Sequence, residues 1–149
     1  MQFLRPSICA TFAVAIYLIA PPSHGQQNIP LAVWSLFVAG ENLKSYCEKS
    51  HPGTGEAIAQ AMALIRREQP EFVRHMEGQQ FYQDALKSFS VAVAKDPEDS
   101  INDLKIDLGQ DTSCQTLAQK INLVGGLLAA DIKVRSEDYK SIYKATPGK

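Results

Sequence analysis

Across residues 31–49 the apolar side chains recur at steps of three and four: Val33, Leu36, Phe37, Gly40, Leu43 and Cys47. Residues at that spacing lie one above another on a single face of an α-helix. Trp34, Val38 and Ala39 widen the face, so the first turns are expected to be buried most of the way round. The stretch carries the only Trp of the chain and ends beside Cys47. The other segments are expected to pack around it.

What precedes this helix reads as an address. Arg5 is the one charge before residues 8–20, an unbroken run of apolar and small residues that Pro21-Pro22 ends. Ser23-His24-Gly25 then offers a small-x-small exit. Together these make a secretory signal peptide over residues 1–25, cleaved after Gly25, with a single helical domain over 26–149. Thirteen residues of helix reach only about 20 Å, short of the roughly 30 Å hydrocarbon core, which argues against a retained anchor. The expected location is periplasmic or extracellular.

Removing Arg5 leaves 14 basic residues against 16 acidic ones, a mature formal charge of −2. Mild acidity and the absence of a long basic run argue against nucleic acid and anionic membrane as partners. The mature chain has no second long apolar run, so no stable membrane insertion is expected after cleavage. Cys9 leaves with the signal, and Cys47 and Cys114 remain. An even pair in an exported chain points to a disulfide. Cys114 shares an apolar stripe with Leu117, Ala118, Ile121 and Val124. The bond would pin the end of the first helix to the start of a late one. A redox pair sits two residues apart at a helix start, and these cysteines do not.

Breaks divide the rest into helices. Ser50-His51-Pro52-Gly53 turns the chain, with Thr54 expected to cap the next helix. Pro70 either starts a helix or kinks a continuous one. Tyr82, Ala85, Leu86, Phe89 and Val93 share a face. Asp96-Pro97-Glu98-Asp99 is the clearest helix start: a capping Asp, Pro at the first position and acids in the first turn. Gly109 ends that helix. Thr112 and Gln115 fit a capping box for the helix carrying Cys114. Gly125-Gly126 either breaks that helix or permits a close crossing. Ser136 precedes a last short helix, and residues 146–149 are expected to fray. No stretch alternates with period two between turn signals, so the fold class is all-α: a bundle of about five or six helices with one disulfide.

Little here carries chemistry. Glu71 and His75 are four apart, and Glu68 joins them only if the helix runs through Pro70. A metal site needs three or four converging ligands, and His51 sits in a turn away from them. Gly53-x-Gly55 precedes a helix but lacks the Lys-Ser/Thr of a phosphate loop and a preceding strand. Phe72, Phe81, Tyr82 and Phe89 read as core. No catalytic residue, metal ligand or cofactor is assigned. Gly40-x-Asn42-Leu43 with Cys47, within residues 38–49, resembles the start of small periplasmic immunity proteins that neutralise secreted toxins. Those proteins place another cysteine soon afterwards, whereas residues 59–62 hold none, so no residue role is carried over. The expected function is an exported binding or interaction protein of inhibitor or immunity type, with another protein as partner. The alternative is a small enzyme or small-ligand carrier with a cavity between helices.

Overall fold

The computed structural model describes residues 28–145; the expected signal segment and the end at 146–149 lie outside the described residues. Seven helices and no strand are present among the described residues: α1 (Ile29–Ser50), α2 (Thr54–Glu68), α3 (Pro70–Glu77), α4 (Gln80–Lys95), α5 (Pro97–Leu108), α6 (Cys114–Val134) and α7 (Ser136–Ala145). The all-α expectation holds. The bundle has more helices than the expected five or six, because Pro70 separates α2 from α3 rather than kinking one helix. Gln69 leaves the helical region at φ −129°, as the residue before a proline tends to, and its N–H closes on the Ile65 carbonyl.

α1 is the centre. It packs against α2 and α6 on one side and α4 on another, with α5 touching it more lightly. Val33, Phe37, Ala39 and Cys47 are fully enclosed. Trp34 stacks on Phe81 of α4 with ring centroids 4.3 Å apart and meets the edge of Tyr82. Asn42 ties the same two helices through Nδ2 to the Leu86 carbonyl at 3.3 Å. Cys47 and Cys114 are joined, which fastens the end of α1 to the first residue of α6.

α2 and α6 complete a three-helix core through glycines. A Cβ on Gly125 would lie 2.8 Å from Ile65 Cγ1, and one on Gly40 would lie 2.6 Å from Met62 Sδ. Of the two readings of Gly125-Gly126, the close crossing is the one realised, and α6 runs straight through. The helix propensity of two glycines costs about 2 kcal/mol relative to alanine, which the contact with α2 must offset.

Two caps differ from expectation, for a shared reason. Thr54 does not cap α2; Gly53 stands there at φ +90° with no side chain to offer. Glu48 of α1 reaches over instead, accepting from Gly53 N–H at 2.9 Å and Glu56 N–H at 3.1 Å. Those backbone donors hold the Glu48 carboxyl below the usual carboxylate range. The Thr54 hydroxyl donates to the Cys47 and His51 carbonyls and closes the end of α1. At α6 the cap is Ser113, reciprocal with Thr116. Thr112 is buried and donates to the Gly109 carbonyl at 2.8 Å. In both cases the threonine hydroxyl is taken by a carbonyl at the end of the preceding helix and does not serve the helix that follows.

Candidate functional site

The residues singled out for chemistry do not converge. Cys47 and Cys114 are paired and buried, where they staple helices. His51 is exposed in the turn after α1. Glu68 belongs to α2, across the break from Glu71 and His75 on α3. Among the described residues no group of three His, Cys, Asp or Glu side chains is placed to hold a metal ion. The Gly53-x-Gly55 turn has no room for phosphate: the Glu48 carboxylate already occupies the positive end of α2, and Gly55 lies against the Lys44 carbonyl. Phe72, Tyr82 and Phe89 are core, with Phe81 half-buried.

His75 serves packing. Its ring sits 5.4 Å from that of Tyr143 on α7. Beside it Phe72 meets Tyr139 edge-on, and the Tyr139 hydroxyl donates to Asp131 Oδ2 at 2.5 Å. Arg135 lies 6.0 Å over the Tyr139 ring and bonds Asp138 through Nε at 3.1 Å. Burial, then the bond to Asp131, pushes the Tyr139 phenol up, so it stays protonated at any physiological pH. Burial and Glu71 push the Tyr143 phenol up to about 12. This group docks α7 onto α3 and α6.

Burial also lowers the His75 pKa from its ordinary 6.5. The unfolded chain therefore takes up that proton more readily than the folded one. Stability is expected to hold above about pH 6.5 and to fall as pH drops from there through the lower folded value. Thermal midpoints of the wild type and His75→Gln between pH 7.5 and 5 check this: the variant should lose that part of the slope. The fall below pH 4.5 should persist in both. There the Glu41 carboxyl, raised by burial but lowered more by Lys44 and Arg66, loses its partners as it protonates.

A charged clamp joins three helices elsewhere. Arg66 of α2 meets Glu41 of α1 at 2.7 Å and Glu77 of α3 at 3.2 Å, with its guanidinium 5.1 Å over the Phe37 ring. All its parts are satisfied by one another, so it holds the fold.

Two outward faces remain. α5 buries Ser100 and Leu104 and packs Ile101 and Leu108, both half-buried, against the core. Residues 96–111 hold six carboxylates, Asp96, Glu98, Asp99, Asp103, Asp107 and Asp111, against Lys105 alone. Asp96 caps the helix by accepting from Asp99 N–H at 3.0 Å, and Lys120 closes the far end through the Leu108 carbonyl and Asp111. On its outer side Asp99, Asn102, Asp103 and Ile106 share one face by helical spacing. Ile106 is 71% exposed there. The second face is the outer side of α6, where Leu123 is 65%, Leu127 40% and Val134 83% exposed. Sequence reading missed both: the apolar pattern after Gly125-Gly126 takes in Leu127, Leu128 and Ile132 alike, and of these only Leu127 is exposed. No helix among the described residues is long and apolar enough to cross a membrane. No protein-family model, no curated protein and no solved structure matches this chain.

Proposed function

We propose that the chain is an exported binding protein of inhibitor or immunity type, and that the outer face of α5 docks on a basic patch of a protein partner. One observation carries the reading: a 71%-exposed isoleucine set among carboxylates on a helix whose Leu104, Ile101 and Leu108 turn the other way, onto the core. Isolated exposed apolar residues are ordinary. Here the residue sits within the most acidic segment of the chain. Carboxylates there would steer a basic partner and set the encounter rate. Ile106 would be the desolvated anchor at the centre of the contact. The basic, apolar and small-x-small start supports export to the periplasm or beyond, with a mature chain from Gln26. The disulfide fits an oxidising compartment.

Immobilised oxidised protein, challenged with the exported fraction of its host, tests the reading. A basic protein should be retained and released by salt. Ile106→Ala should weaken its binding about tenfold or more, a typical anchor loss. Asp103→Asn should slow association and flatten its salt dependence. Retention unaffected by either change, or retention of no protein at all, contradicts the proposal.

A further inference from the structure

α7 keeps little of itself inside. Of its ten residues Tyr139 is buried, Ser136 and Tyr143 are half-buried, and the other seven face solvent. It packs on α3 and on the end of α6. Arg135 alone joins it to α6, and that residue has already left the helical region at φ −113°, ψ 34°. The Cys47–Cys114 bond and the Gly40 and Gly125 crossings lie outside its contacts. A helix attached in this way can leave as a unit by rotation at one residue, at a cost well below that of unfolding the core.

Three contacts close it. The Tyr139 hydroxyl donates to Asp131, the Tyr139 ring meets Phe72 at 6.3 Å, and the Tyr143 ring lies 5.4 Å from that of His75. The ionisable groups at this contact are Tyr143 and Lys140 of α7, Glu71 of α3, whose charge acts on both, and Asp131 and Arg135 of α6 beside Tyr139. His75 is the one among them suited to change charge near neutrality. We infer that α7 is an acid-released latch: as the medium acidifies it swings off α3 as a unit about Arg135, while α1, α2 and α6 stay folded together. Burial keeps protons off the closed His75. With Tyr143 lifted away the imidazole meets water and regains its ordinary affinity. The open form therefore takes up a proton that the closed form excludes, and acid favours opening. The gain begins near pH 6.5 and grows by at most about tenfold per pH unit, down to the lowered value of the closed form. Opening uncovers the part of Phe72 that Tyr139 now covers, beside an imidazolium.

Hydrogen exchange of the oxidised protein tests this, read as protection factors so that the intrinsic pH dependence of exchange cancels. At pH 7.5 the amides of Lys140–Tyr143 should be protected, but about a hundredfold or more less than those of Phe37–Leu43 in α1. Lowering the pH to 5.5 should reduce the α7 factors. His75→Gln and His75→Phe, the second keeping a ring against Tyr143, should each abolish that reduction. Ile58→Val lies in the fully enclosed core on α2. It should lower the α1 factors about fivefold and leave those of α7 unchanged, since the closed and open forms share that core. An α7 without protection at pH 7.5, α7 factors that follow those of α1 in Ile58→Val, or α7 factors in the wild type that ignore pH overturns the inference. So does a pH response that survives either His75 substitution.

Discussion

Replacing both Cys47 and Cys114 by alanine should lower the unfolding free energy by about 4 kcal/mol, within the range measured for loss of native disulfides. The two residues are 67 apart in sequence, so the bond closes more than half of the described chain into one loop. In the chain-entropy account a loop of that length restricts the unfolded ensemble by roughly this amount. Folded contacts change little, because both side chains are buried as small apolar groups that alanine partly replaces. The loss is comparable with the whole stability of many small domains, about 5–15 kcal/mol. Urea unfolding followed by circular dichroism should therefore show an earlier midpoint and the same native helix signal. The end of α1 is also held by the Thr54 hydroxyl and the His51 N–H on the Cys47 carbonyl, so the helix itself should persist. An unchanged midpoint would assign the bond a role other than structural.

Gly55→Ala should cost about 3 kcal/mol, the upper part of the range for overpacking. Propensity alone predicts the opposite, since alanine is better than glycine inside a helix by about 1 kcal/mol. The added Cβ would meet the Lys44 carbonyl and lie 2.6 Å from Glu48 Cβ and 3.1 Å from Glu48 N. Those are backbone atoms of α1 and a Cβ fixed to it, with no rotamer to yield. α2 must then move away from α1, and the Glu48 cap on Gly53 and Glu56 stretches with it. Gly126→Ala provides the control. Its Cβ meets nothing within 4 Å, so it should stabilise by up to about 1 kcal/mol. Paired denaturant curves with opposite shifts check both halves.

The parts of the fold that could be read beforehand were those decided locally. The three-and-four spacing over 31–49 marks α1, and the Asp96-Pro97 start marks α5, because period and cap chemistry act within a few residues. Thr54 and Thr112 misled because each hydroxyl donates to a carbonyl at the end of the preceding helix, while Glu48 accepts from Gly53 and Glu56 N–H at the start of α2. Gly125-Gly126 was undecidable locally: what decides it is the close approach of Gly125 to Ile65, which is distant in sequence. The outward faces were hidden for a related reason. α6 is apolar on several sides, so its pattern alone cannot say whether Leu127 or Leu128 faces the core. Ile106 falls outside the inward spacing of Ile101, Leu104 and Leu108, and its 71% exposure is what sets it apart.

The claim that the work of this chain is done on the outer face of α5 meets its sharpest test in living cells. A photo-reactive amino acid at position 106, activated in the exported compartment, should link the chain to a basic protein that is not a second copy. The same group at position 91, on an exposed residue of α4, should link little. A product at 106 consisting only of this chain, or equal products at 106 and 91, would contradict the account.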